Sequence, residues 1–284
     1  MTFNEVLGAW SNCKLKGAAE HAEILLNEME RRFSDIESFA ICPDRVSYNT
    51  VLKALAKSSD PHSARKAEHM LDRMQVLHKS GRHNIMPDRY TYNVLMKIYG
   101  KAGDAAACGK VENILNFLEQ HQHLGGNESL KPDVRSYVTA INAYAKSNVS
   151  RKARKCRSIL DRMIELYEAS GKISFSPNVH SYTNVINACA YTSGSESENL
   201  EALQIAKSTF EELSQSSYAK PNGVSYNTFL LALSKLMSTG EECDRYVEAT
   251  FKQCRDDGLV NDKCLSILRR AASSSLYRKL TECL

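Results

Sequence analysis

Proline and tryptophan are scarce in this sequence, with six Pro and one Trp among 284 residues. No apolar run approaches the ~20 residues a membrane-crossing helix needs, which leaves no candidate span. No C-x-x-C pair occurs among the nine cysteines. Their odd number, the lack of a signal-peptide pattern and their placement in apolar helical patterns suit small buried hydrophobes in a reducing, intracellular setting, not a disulfide framework. P-loop, G-x-G-x-x-G and H-x-E with P-C-x-x-C patterns are absent, and the adjacent Asp256 and Asp257 lack the further acids of a metal nuclease. His121 and His123 have no other ligand type at metal-binding spacing. No catalytic centre, metal or cofactor is therefore expected.

The net charge of +4 does not by itself announce a nucleic-acid partner. Its distribution is uneven: residues 1–44 carry four basic and eight acidic side chains, and residues 134–178 nine basic and three acidic ones.

What is present is a repeat. Pro43, Pro87, Pro132, Pro177 and Pro221 follow one another at intervals of 44, 45, 45 and 44 residues. Each opens the same phrase: PDRVSYNTVLKALAKS, PDRYTYNVLMKIYGKAG, PDVRSYVTAINAYAKS, PNVHSYTNVINACAYTS and PNGVSYNTFLLALSKLMS. The chain opens inside a sixth copy, with Phe3 in the place of the tyrosine. Tyr48, Val51, Leu52, Leu55 and Ala56 fall on one face of a 3.6-residue period, so the phrase predicts a helix, helix A. Pro beside Asp or Asn suits the turn into it, and Ser or Thr ahead of the apolar run can cap. A second periodic stretch, Ala64, Ala67, Met70, Leu71, Met74 and Leu77 in one copy and Ala153, Cys156, Ile159, Leu160, Met163 and Ile164 in another, predicts helix B.

A helical hairpin of 44–45 residues can bury its apolar faces only against its neighbours. The expected fold is all-α, a right-handed α-solenoid of about six helix-turn-helix repeats, spanning approximately residues 1–44, 45–88, 89–133, 134–178, 179–222 and 223–262. Residues 263–284 then supply one capping helix at the C-terminal end.

The phrase of Pro, Asp or Asn, two variable residues, Ser or Thr and Tyr, with Lys near the end of helix A, resembles the pentatricopeptide repeat family across nearly the whole chain. That resemblance implies an RNA-binding helical solenoid. The repeats depart from the family's usual unit of about 35 residues. The extra residues fall late in helix B or in the loop after it, where they alter superhelical pitch more than the spacing of helix A.

The resemblance also implies which residues read RNA. The residue after each tyrosine pairs with the residue after the next proline to contact one base: Asn4 with Asp44, Asn49 with Asp88, Asn93 with Asp133, Val138 with Asn178, Thr183 with Asn222, and more weakly Asn227 with Asp262. Asn offers donor and acceptor to a pyrimidine edge, an adjacent Asp can fix its orientation, and Val138 offers neither. The family's pattern implies U-U-U-any-A-U. The competing expectation is that these Asn and Asp residues are turn and cap formers. Val46, Tyr90, Arg135, His180 and Val224 stand where family members sandwich bases. The recurring tyrosines lie on the apolar stripe and read as core.

Lys57, Lys101, Lys146 and Lys235 recur at one phase near the end of helix A, with Tyr191 interrupting. They serve as phosphate contacts, as partners of the helix dipole, or as both. Arg151, Lys152, Arg154, Lys155 and Arg157 open a helix B, where the dipole disfavours cations, so that run needs an anionic partner or a solvated face.

Three functions stay open. The first is a sequence-selective single-stranded RNA binder acting in processing, stability or translation of a transcript in a mitochondrion or plastid. The second is a scaffold holding a protein partner through helix B, and the third is the RNA-positioning part of an enzyme whose catalytic domain lies elsewhere. No membrane and no small-molecule cofactor is expected.

Overall fold

A computed structural model describes residues 2–36, 42–123 and 127–282. Parts of the loops before Pro43 and Pro132, and Cys283, lie outside the described residues. Fourteen α-helices and no strand occur among the described residues. They alternate as the periodicity predicts. Helices A are α1 (Phe3–Asn12), α3 (Arg45–Lys57), α5 (Arg89–Ala102), α7 (Val134–Lys146), α9 (Val179–Ala190), α11 (Gly223–Leu236) and α13 (Asp262–Ala271). Helices B are α2 (Ala18–Ile36), α4 (Ser63–Lys79), α6 (Ala105–His123), α8 (Lys152–Ser170), α10 (Glu196–Gln215), α12 (Glu241–Asp256) and α14 (Ser274–Thr281).

The additional length of each repeat goes to helix B and to the return loop. α2, α6 and α8 have 19 residues and α10 has 20, against 13 in α3 and α7. In three return loops a single 3-10 turn, at His83–Ile85, Glu128–Leu130 and Ile173–Phe175, buries one apolar residue two places before the proline: Ile85, Leu130 and Phe175. The long loop is thereby pinned to the core by one side chain.

The chain divides into two compact blocks. The first comprises residues 1–102 and 106–132, the second residues 103–105 and 133–284. In the first block α1 packs on α3 and α3 on α5; in the second α7 packs on α9, α9 on α11 and α11 on α13. Helix A thus stacks on helix A of the next repeat. The apolar stripe supplies the core, with Tyr48, Val51, Leu52 and Leu55 fully buried in α3 and Tyr226, Leu230, Ala232 and Leu233 in α11. Tyr92, Tyr137 and Tyr182 occupy the same seat in their helices, each at most 8% exposed. An aromatic ring buried there stabilises its repeat by about 3–5 kcal/mol relative to alanine.

Two sequence expectations need correction. The last segment is not one helix over 263–284: Ser273 interrupts it and caps α14 through the Leu276 N–H at 3.3 Å, so α13 and α14 form a seventh, shortened hairpin. Asp262 also does not occupy the partner position to Asn227. Asn261 caps α13 through the Cys264 N–H at 2.9 Å, and Asp262 is the first helical residue, exposed. The register slipped by one because Val260 stands where the other repeats have proline.

Candidate nucleic-acid interface

Each full helix A begins with the same cap. Asp44, Asp133, Asn178 and Asn222 accept the backbone N–H of the residue three places on, and Ser47, Ser136, Ser181 and Ser225 accept the cap residue's own N–H in return. Asp88 and Thr91 do the same at 3.0 and 3.1 Å. The capping group is therefore the Asp or Asn, and the Ser or Thr completes the box. Such a cap stabilises its helix by about 1 kcal/mol.

The residue after the tyrosine reaches that box in the next repeat. Asn4 Oδ1 accepts the Ser47 hydroxyl at 2.8 Å, and Asn49 Oδ1 accepts the Thr91 hydroxyl at 2.8 Å. Asn49 Nδ2 makes a long 3.5 Å contact with Asp88 Oδ1, while Arg45 pairs with Asp88 Oδ2 at 3.2 Å. In the second block Thr183 Oγ1 and Ser225 Oγ are hydrogen-bonded at 2.8 Å. Asn227 Nδ2 donates to Asn261 Oδ1 at 3.4 Å, but its own Oδ1 is buried with no partner, because Cys264 stands where a hydroxyl stands elsewhere. Half-buried Val138 adds no hydrogen bond to this ladder. Asn93 is half-buried in the first block, and Asp133 caps α7 in the second.

Three of the six paired positions, Asn4, Asn49 and Thr183, thus reach the cap of the next repeat's helix A as joints between successive repeats. Asn49 and Asn227 are only 8% and 5% exposed. A long-range hydrogen bond to the next cap is a role that no single copy of the phrase reveals; the 42-residue separation of Asn49 and Thr91 is its only trace.

The expected stacking positions lie outward. Val46, Tyr90 and Val224 are 57%, 42% and 59% exposed, and Arg135 and His180 are exposed as well. All five occupy the second position of their helix A. The four phase-matched lysines are exposed too. Lys57 Nζ donates to the Ser11 carbonyl at 2.8 Å and Asn12 Oδ1 at 3.2 Å, and Lys101 Nζ to the Ser58 carbonyl at 2.9 Å. Each satisfies the end of the preceding helix A, where the dipole is negative. Lys235 lies 3.8 Å from the centre of the Tyr191 ring, the residue that interrupts the row. Lys57 and Lys235 form no ion pair among the described residues. Lys53, one turn before Lys57, and Lys97, one turn before Lys101, repeat at the same 44-residue interval and extend this row.

Helix B is different: most of its cations meet carboxylates, chiefly on an adjacent helix B. Lys66 pairs with Glu23 at 3.4 Å and Lys207 with Glu242 at 3.6 Å; Arg73 pairs with Glu30, Lys110 with Glu68 and Arg154 with Glu201. This accounts for most of the cationic run that opens α8. Arg157 is bonded to Asp161 and Glu212, both at 2.8 Å, and Arg151 approaches Glu198 at 3.9 Å. Lys152 is buried with its Nζ on the Ser147 carbonyl at 2.9 Å, and burial holds its amine below the usual lysine range.

The buried tyrosines carry no exposed chemistry. Burial first, and then a hydrogen-bonded neighbour, raises the phenols of Tyr48, Tyr182 and Tyr226 above the usual tyrosine value; the neighbours are Glu30, Tyr218 and Asp257. Among the described residues no group of three or more His, Cys, Asp or Glu could hold a metal ion, and no helix is long and apolar enough to cross a membrane.

Stacked helical hairpins with one recurrent phrase define a helical-repeat protein. Residues 25–102 match the model of the Pentatricopeptide repeat domain, and the remaining repeats carry the same phrase. No curated protein matches the sequence. Among solved structures, it is similar to the crystal structure of the pentatricopeptide repeat protein PPR10 from maize, with 18% identity and a TM-score of 0.45. The similarity covers 99% of this chain and 39% of that one, so the chain spans about two fifths of that protein's length.

Proposed function

We propose that the chain binds single-stranded RNA along its helix A residues, with some sequence selectivity, and acts in processing, stability or translation of a transcript in a mitochondrion or plastid. The observation that carries this reading is the contrast between the two helix types. Most cations of helix B are neutralised by acids of the same chain, whereas Lys57 and Lys235 of helix A meet only neutral partners and stay exposed. Uncompensated ammonium groups at a fixed phase suit a phosphate backbone, and the outward Tyr90, Arg135 and His180 suit base faces.

Stacking and phosphate contact need no rearrangement. Base reading by Asn49 or Asn227 requires an amide held against the next cap to open, so selectivity is modest compared with affinity. Binding, not catalysis, is the activity assigned to these repeats.

The test is fluorescence anisotropy with RNA containing UUUNAU against a scrambled strand, at two salt concentrations, with Tyr90→Ala alongside. The expected result is salt-sensitive binding that weakens for Tyr90→Ala by about 1–3 kcal/mol, the usual worth of one stacked base. Absence of binding at low salt refutes the RNA reading and leaves a protein partner on helix B as the alternative.

A further inference from the structure

The turns that join helix A to helix B in the first two repeats border a cleft of about 880 Å³, lined by residues 10–20 of one turn and by Ala54, Lys57–Pro61 and Lys66 of the other. Its ionisable lining is Lys14, Lys16, Lys57 and Lys66 against Glu20 and Asp60. Lys66 is neutralised by Asp60 at 3.2 Å and Glu23 at 3.4 Å. Lys14 and Lys16 are exposed and form no ion pair among the described residues.

At the cleft edge Asn12 stands at the phase that other repeats give to lysine. Its Oδ1 accepts from Lys53 Nζ at 3.1 Å and from Lys57 Nζ at 3.2 Å. The negative end of α1 explains one ammonium, Lys57 on the Ser11 carbonyl, but not a second cation drawn to the same neutral oxygen. Like charges four residues apart on a helix repel. An anion placed between them reverses that penalty.

We infer that this cleft is a phosphate-binding site in which Lys14, Lys16, Lys53 and Lys57 surround an oxyanion beside Asn12. The site rests on the RNA reading for its source of phosphate, a backbone phosphodiester of the bound strand. Lys14 and Lys16 have no lysine counterpart in the other repeats, so this grip belongs to the first two repeats.

The test uses the full chain and the triple variant Lys14→Gln, Lys16→Gln, Lys53→Gln. Lys57 is kept, so that the Ser11 carbonyl retains its partner and the fold is undisturbed; far-UV circular dichroism checks this. RNA binding is measured between about 50 and about 200 mM KCl, where each phosphate contact on a single strand contributes about 0.7 to the slope of log K against log salt. The expected loss in slope is about 2, with base preference unchanged. A control with Lys79, Lys172 and Arg245 changed to Gln, none of them on a helix A, carries the same charge loss and is expected to change the slope far less. If RNA binds and the two triple variants have equal slopes, the cleft assignment is wrong while the RNA reading stands. If the unmodified chain binds no RNA, the RNA reading fails, and inorganic tripolyphosphate decides the cleft: a rise in melting temperature abolished in the Lys14, Lys16, Lys53 variant supports it, and no rise overturns it.

Discussion

Replacing Thr91 by valine removes one joint of the ladder while keeping its shape. Thr91 is fully buried; its hydroxyl donates to Asn49 Oδ1 at 2.8 Å and accepts the Asp88 N–H at 3.1 Å. Valine leaves both groups without that partner, and a buried polar group without a hydrogen bond costs about 1–3 kcal/mol. The added methyl returns about 0.8 kcal/mol. The expected net loss is about 1–5 kcal/mol, read as a lower urea midpoint with an unchanged slope. Thr91→Ser keeps both bonds and loses only the methyl, so it is expected to cost about 1 kcal/mol. Combining Thr91→Val with Asn49→Ala closes a double-mutant cycle, with an expected coupling of at least about 1 kcal/mol. If valine costs less than serine, or if the cycle shows no coupling, the Asn49 joint does not hold the repeats together and the ladder argument fails.

Alkaline pH attacks the core. Burial raises the phenols of Tyr48, Tyr92, Tyr99, Tyr182 and Tyr226 above their ordinary value of 10.0, and burial pushes the Cys189 thiol up to about 12 from 9.0. The unfolded chain therefore loses these protons first, so stability is fully present below the unfolded values and falls as pH climbs through them towards the folded ones. Once past them each tyrosine contributes about 1.4 kcal/mol per pH unit. Urea unfolding in a reducing buffer across this range is expected to show a steep decline, and a flat profile would contradict the buried placement. Arg157→Leu is expected to lower stability by about 1–2 kcal/mol, since it strands Glu212 and Asp161 at a partly exposed site. Salt that screens the pair should narrow this gap between the two proteins, as read from melting temperatures.

The helix pairs, the turn positions and the buried tyrosines were legible because each depends on residues close in sequence and recurs with the prolines. Asn261 was misregistered for the same reason: without a proline at 260 the phrase loses its marker, although Asn261 and Cys264 keep the cap spacing. The break at Ser273 was legible only as a cap residue inside an apolar pattern, a weak local signal. What stacks on what lay further from reach. The Asn49–Thr91 bond and the pairing of Arg154 with Glu201 join residues 42 and 47 positions apart, and composition alone presents the cations of α8 as unpaired. Lys53 and Lys97 were available from the 44-residue interval, but they sit in only two copies of the phrase.

Cys264 occupies the seat that a hydroxyl fills in the other repeats, and its sulfur lies against Cys254 at 4.0 Å, leaving the Asn227 carbonyl oxygen unanswered. In an array where each repeat is held chiefly by its neighbours, the weakest joint decides where unfolding starts. The second block is therefore expected to open from its C-terminal hairpin. Amides of α13 and α14 are expected to exchange with solvent before those of α9 and α11, which would give disassembly of this block a direction written into one side chain.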